Sequence, residues 1–446
     1  MEPEKNLFEK VSTWITNSVT LKLAVIAVLI LILLIPSVMI QEIIYERELL
    51  KNEAITEVSA KWARNQLING PVLTVPLIYE YEKDGKIETT TRNWHLLPEN
   101  LSIEAEVEPE KLRRGIYEIV VYRSGIDISG NFNMKIKPDP THLKQIRFDQ
   151  AYLTIGISDL RGIKNQINVK WDKEILSVKP GSRLFNLIYS GVSVDLPDLE
   201  VFMGKTVDFE FALDLQGSQN LSFIPVGSTT DVLIKSVWEY PSFNGNFLPD
   251  NRVIDSEGFE ASWNILQLNR NIPESWIDNE LSQNMEEAAF GVDLLLSMDD
   301  YQKSMRSAKY AILTIALTFL IFFLVEVLNK RKIHPFQYTL VGLALCLFYV
   351  LLVSISEHSN FNLAYGISTL GIVCMVSLYS LSVFNARRLT LVLVSTLLAI
   401  YGFLYVTLQL TEYALLMGSI GLTLILGATM YFTRNIDWYN LNTSSE

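Results

Sequence analysis

Cysteine is nearly absent from this chain. The two that occur in 446 residues, Cys346 and Cys374, both lie inside long apolar runs. No disulfide is therefore available to the rest of the chain, and a water-soluble part must be held by its core alone. Histidine is almost as scarce: His95, His142, His334 and His358 stand far apart in sequence. There is no H-E-x-x-H, no C-x-x-C, no Gly-rich phosphate loop and no G-x-S-x-G elbow, so no metal-ligand set, phosphate cradle or hydrolase nucleophile can be read from spacing. We expect no enzymatic activity and no cofactor. Positive charge is also in deficit, with 37 Lys and Arg against 49 Asp and Glu for a net charge of −12. Nucleic-acid binding depends on neutralising phosphates with basic side chains, so that class of partner is not expected.

What the chain has instead is apolar sequence, with 49% hydrophobic residues gathered into runs. Residues 21–40 form the first, too long for the apolar core of a cleaved signal peptide and not followed by an A-x-A-like site, so it reads as a retained anchor. Five more runs crowd the last third, at 310–328, 338–356, 363–384, 389–408 and 414–432. Each is long enough for a helix to cross a bilayer. Lys330-Arg331-Lys332, Arg387-Arg388 and Arg434 alternate with loops carrying Glu357 and Glu412. By the positive-inside rule, six spans put both termini in the cytoplasm, with tails 1–20 and 433–446, and put residues 41–309 outside. Lys303, Arg306 and Lys309 are the exception, a basic cluster on the outer side next to the second span.

Between the first two runs the hydrophobic period changes. Ile43, Ile44, Leu50, Ala54, Val58 and Trp62 recur at helical intervals, which predicts a helix over 41–69 stopped by Gly70-Pro71. After that point the period is two. Val207, Phe209, Phe211, Leu213 and Leu215 alternate with Asp208, Glu210 and Asp214. Similar faces are formed by Leu73 to Tyr81, by Phe132, Met134 and Ile136, by Val232, Ile234 and Trp238, and by Phe259, Ala261 and Trp263. Lys83-Asp84-Gly85 and Phe243-Asn244-Gly245 read as turns. The expected fold class is a membrane protein with an N-terminal signal-anchor helix, a large antiparallel β-rich sandwich-like periplasmic domain with helical membrane-proximal ends, and a C-terminal five-helix transmembrane bundle. Periodicity leaves one or two β subdomains open.

Candidate functional residues are few. Glu326 is the one carboxylate within an apolar run, and an intramembrane carboxylate points to function, although Lys330 one turn on offers it a partner. Glu357-His358 is the best pair for titration near neutral pH. Lys303, Arg306 and Lys309 can lie against anionic headgroups. Gly418, Ser419, Gly421, Gly427 and Ala428 suit close helix packing.

Several segments carry a resemblance. Gly70-Pro71-Val72-Leu73, Gly156-Ile157-Ser158-Asp159-Leu160-Arg161-Gly162-Ile163, Tyr240-Pro241-Ser242-Phe243-Asn244-Gly245 and Leu268-Asn269-Arg270-Asn271 resemble landmarks of the CreD family of bacterial inner-membrane proteins. So do Phe290-Gly291-Val292-Asp293 and Arg306-Ser307-Ala308-Lys309-Tyr310 at the junction with the bundle. The resemblance runs from the anchor to near the C-terminus. It implies an inner-membrane protein linked to cell-envelope integrity and a two-component stress regulon, with no defined catalytic or binding residues. Two function classes follow: a non-enzymatic envelope protein whose β domain binds or senses an unknown periplasmic ligand or protein, or a translocator similar in layout to the YidC-type insertases. The second lacks the basic residue expected inside the membrane. An enzyme with a site assembled from Asp159, Arg161 and Arg270 is a weaker third. Replacing Lys303, Arg306 and Lys309 together with Gln is expected to weaken function while leaving membrane insertion normal, which complementation and fractionation would measure; full activity would make the stretch a plain linker.

Overall fold

The computed structural model describes residues 19–83, 86–135, 138, 141–278, 285–295, 300–329, 333–410 and 413–434. Lys330-Arg331-Lys332, Asp299, Ile136, Glu412 and the Asp84-Gly85 pair lie outside the described residues, as do most of both tails. The chain divides into two compact units, a helical one from Met1–Lys51 with Met298–Glu446, and a β-rich one from Asn52–Ser297.

The first helix, α1, runs over Val19–Trp62 with Pro36 inside it. It was expected to run to Asn69 but stops seven residues short, because the next residues lead into a strand, Gln66–Lys83. Residues 68–72 of that strand are buried throughout, so no alternation marks its opening and its Gly-Pro pair looks like punctuation, while the face expected from Leu73 to Tyr81 lies within it. Pro71 has no N–H to give a ladder, and the pairing with Tyr152–Ile157 shifts register between Asn69 and Val72. Gly70 has φ +100°, and a Cβ there would stand 2.8 Å from the Thr154 carbonyl oxygen. Only glycine fits such a position.

Among the described residues the β-rich unit has two sheets, of ten and eight strands. Gln66–Lys83 is central in the first, pairing antiparallel with Lys86–Leu96, Leu143–Ile146 and Tyr152–Ile157 and parallel with Asn220–Phe223. The second places Asn100–Arg114 between Tyr117–Asn133, antiparallel, and Thr229–Ser236, parallel. The unit is therefore mixed rather than purely antiparallel. Both exceptions join strands far apart in sequence, where a crossover can return in the same direction. In Thr206–Ser218, Val207, Phe209, Phe211, Leu213 and Leu215 are buried while Asp208 and Glu210 are exposed. Residues of both sheets share one core, with Phe132 5.3 Å from Phe209 and 5.8 Å from Trp171 between ring centres. Each such side chain contributes roughly 1.5–3 kcal/mol by leaving water. One core means one β unit. Phe243-Asn244-Gly245 is not a turn: it ends the strand Pro241–Gly245, paired with Phe290–Leu294.

The end of α1 enters this unit at Asp159. The Asp159 carboxylate accepts from the Arg64 N–H at 3.0 Å and from the Arg161 guanidinium at 2.9 and 2.6 Å. Arg161 also donates to the Ala60 carbonyl. The buried Gln66 amide donates to the carbonyls of Asp159 and Gln216, at 3.0 and 2.8 Å, and Ser218 donates to the Ala63 carbonyl. The Arg161 hydrogen bonds hold the Asp159 carboxyl down at about 2. Asp159 and Arg161 thus cap a chain entry. Arg270 belongs to another cluster, wholly buried, donating to the carbonyls of Val226, Gly227 and Ile272 and to Glu274. His95, also buried, shares a 2.9 Å hydrogen bond with Thr74, and its ring centre lies 5.3 Å from that of Trp276. Burial pushes its pKa down to about 4.

In the helical unit, α2 (Asp300–Lys309) and α3 (Ala311–Leu328) meet at a 42° bend. α4 (Pro335–Ser356) starts with Pro335 at its first turn and a capping box between His334 and Gln337. α5 (Phe361–Phe384) is capped by Asn360 and closed by Asn385 at φ +46°. α6 (Arg387–Gln409) and α7 (Ala414–Thr433) follow. Among the described residues, four helices are individually long and apolar enough to cross a membrane, five if the bent pair counts as one, and α7 holds a shorter apolar stretch.

These buried ionisable groups set a pH dependence. A histidine with a folded pKa below its unfolded value stabilises fully above about 6.5 and progressively less as pH falls toward 4, by about 3 kcal/mol at the limit. Asp159, also depressed, adds a loss of about 1 kcal/mol as pH falls from about 4 to 2, discounted for the exposed Arg161. Thermal unfolding followed by tryptophan fluorescence should show the upper step vanish in His95→Gln while the lower one remains.

Candidate functional site

Charged and hydroxyl side chains in the helical unit gather in three places. The first surrounds Glu326, 3% exposed near the end of α3. Lys22 on α1 donates to its Oε1 at 2.7 Å, Tyr338 on α4 donates to its Oε2 at 3.0 Å, and the Ile333 N–H approaches Oε1 at 3.4 Å. Lys330, which sequence spacing offered as a partner, lies outside the described residues; Lys22, 304 residues away, is a partner among them. A buried carboxylate needs a cation at the same depth, and Lys22 opens the first apolar run. That is the signal sequence reasoning passed over. Beside this triad is a cavity of about 300 Å³ lined by Leu21, Val25, Ile26 and Leu29 of α1 and by Ile333, His334, Pro335 and Tyr338.

The second place gathers around Glu357, just past the end of α4. Its Oε1 accepts from the Tyr301 hydroxyl at 3.3 Å and faces Arg47 of α1 at 3.5 Å. The structure does not bring Glu357 and His358 together as a titrating pair. Among the described residues no hydrogen bond joins them, and His358 is exposed. Adjacent residues at a helix end point in different directions.

α2, which carries the basic cluster, packs on α4, α5 and α6 through its buried residues Tyr301, Ser304, Ser307 and Ala308. Lys303 is half-buried, with its ammonium 5.6 Å from the centre of the Phe361 ring. Arg306 is half-buried and Lys309 exposed. The three therefore sit on a docked amphipathic helix, with Lys303 turned to an aromatic ring rather than fully to the surface.

The third place is the bundle interior, which is hydroxyl-rich and aromatic. Tyr349 bonds Thr314 at 3.3 Å, Tyr365 donates to the Tyr401 carbonyl at 2.7 Å, and Phe348 lies 4.6 Å from the Tyr401 ring. Ser304, Ser307, Ser368 and the Tyr401 hydroxyl are buried without a hydrogen-bond partner among the described residues. No group of three or more His, Cys, Asp or Glu side chains among those residues is placed to hold a metal ion.

An N-terminal apolar helix, a central β-rich region and a set of C-terminal apolar helices define a membrane protein. The family model for the inner membrane protein CreD matches residues 18–439. The inner membrane protein CreD of Escherichia coli (strain K12) is 31% identical over 414 residues, 92% of this chain and 91% of that protein. The chain belongs to the CreD family of inner-membrane proteins.

Breaking a buried ion pair by removing one partner strands the other charge, at a cost of roughly 3–5 kcal/mol. Lys22→Met is therefore expected to lower the melting temperature of the detergent-solubilised chain. Adding Glu326→Gln should recover most of that loss, the non-additivity expected of direct partners. Additive effects would show that the two do not act together.

Proposed function

We propose that this chain is a non-enzymatic inner-membrane protein with both termini in the cytoplasm, whose β-rich unit is a periplasmic recognition module supporting envelope integrity under stress. The orientation follows from the two charged clusters of the helical unit. Lys22 and Arg47 stand about 37 Å apart along α1 at about 1.5 Å per residue. That span lies between the hydrocarbon thickness of about 30 Å and the full bilayer thickness of about 40–45 Å. The Lys22–Glu326 and Arg47–Glu357 contacts thus suit opposite bilayer interfaces, and the positive-inside rule assigns the Lys22 end to the cytoplasm. This supports six spans, counting α2 and α3 as one and including α7.

The observation that carries the recognition reading is the free face of the eight-stranded sheet. It forms an open groove of about 770 Å³ whose side chains include Glu104, Glu106, Asp127, Arg123, Lys164 and Lys235. Glu104 and Asp127 are direct cross-strand neighbours, a like-charge pairing that costs stability and is relieved by a ligand bearing positive charge. A polar envelope ligand or a protein segment fits this groove; the mixed signs favour recognition over bulk ion attraction. Translocation has less support, since charged side chains of the described apolar stretches gather at helix ends.

Two measurements test the reading. Tyr189, 88% exposed, when replaced by Cys should react with a membrane-impermeant maleimide in intact spheroplasts; labelling only after lysis would reverse the orientation. A photo-crosslinking residue at Glu106 should capture a discrete envelope partner in living cells that the same residue at Leu268 does not. Identical patterns from both positions would remove the recognition role.

A further inference from the structure

The cavity beside Glu326 has the polarity profile of one lipid molecule. Leu21, Val25 and Leu29 recur every four residues and so form one stripe along α1, with Ile26 beside it. Ile333 and Tyr338 face them. The stripe begins at Leu21, beside Lys22, where the first apolar run starts, and continues into that run. Lys22 is 25% exposed and spends one of its donors on Glu326, which leaves ammonium N–H groups for another acceptor. His334, exposed, accepts the Phe336 N–H on Nδ1. With Nδ1 accepting, the ring N–H is on Nε2, a second donor without a hydrogen-bond partner among the described residues. The Glu326 charge is already met by Lys22 and Tyr338 and does not oppose an anion.

We propose that this cavity binds an anionic phospholipid, with one acyl-chain segment against Leu21, Val25 and Leu29 and the phosphate against Lys22 and His334. A volume of about 300 Å³ is at the lower end of small-molecule pockets, roughly 300–1,000 Å³. It is sized for part of one chain, with the head outside. A free phosphate shares the head chemistry but has nothing to place on the apolar stripe.

The test is native mass spectrometry of the full chain in detergent with phosphatidylglycerol, phosphatidylcholine or inorganic phosphate added. The wild-type chain should retain one phosphatidylglycerol, with about tenfold preference over phosphatidylcholine, equivalent to about 1.4 kcal/mol, and excess inorganic phosphate should not displace it. Val25→Trp, which fills the cavity, should abolish retention, whereas Leu23→Trp on the exposed side of α1 should not. His334→Asn keeps a helix-capping acceptor but its shorter amide places no donor where Nε2 stands, so it should retain phosphatidylglycerol more weakly than the wild-type chain does. Equal retention of the two lipids by the wild-type chain, displacement by phosphate, or unchanged retention in Val25→Trp would each overturn the proposal.

Discussion

A single carboxylate decides how the β-rich unit receives the helix that leads into it. Asp159 takes the Arg64 N–H and the Arg161 guanidinium, and Arg161 reaches back to the Ala60 carbonyl, so the last turn of α1 is tied to a short loop after Tyr152–Ile157. Gln66 then bonds across to Gln216 of the other sheet. The strand that starts at Gln66 pairs with four others. An error in where it begins would move each of those pairings, because a one-residue slip in a strand exchanges its two faces. The Ser158-Asp159-Leu160-Arg161-Gly162 segment, which stood out in the sequence as a family-like landmark, has this positional role. Gly162 is part of it: a Cβ there would meet the Gln216 carbonyl oxygen at 2.3 Å.

Strands with one wet face were legible from sequence because burial on one side writes itself as a period of two. Thr206–Ser218 and Gly258–Leu266 are of that kind. The opening of the strand Gln66–Lys83 was not legible, since residues 68–72 are dry on both faces and the Gly70-Pro71 pair imitates a helix stop, whereas Leu73 to Tyr81 were read as one of its faces. The parallel pairings, Gln66 with Leu221 and Asn100 with Thr229, join residues more than a hundred apart, and no local pattern reports them. The same holds for the single core: alternation says which face is buried but not against what.

At the candidate sites the outcome divides along similar lines. Glu326 could be found because a carboxylate in an apolar run is visible by itself. Its partner could not, since the contact depends on α1 lying beside α3 and α4. Glu357 was singled out for the wrong neighbour: adjacency in sequence favoured His358, whereas the fold supplies Tyr301 and Arg47. Lys303, Arg306 and Lys309 share one short helix, which also buries Ser304 and Ser307, and a charge count ignores those. The aromatic and hydroxyl interior of the bundle gave only composition; that Tyr349, Tyr365 and Tyr401 meet around Phe348 is a property of packing.

The two contacts that fasten α1, Lys22 to Glu326 and Arg47 to Glu357, also say something about the order in which the protein is made. Both acidic partners emerge from the ribosome roughly 300 residues after the lysine and arginine they meet, tens of seconds later at about 5–20 residues per second. During that interval α1 is anchored but unaccompanied, and the whole β-rich segment is synthesised. The large unit therefore has time to close its own core before the bundle exists. The final helices then complete a structure whose first member has been waiting since the start of translation.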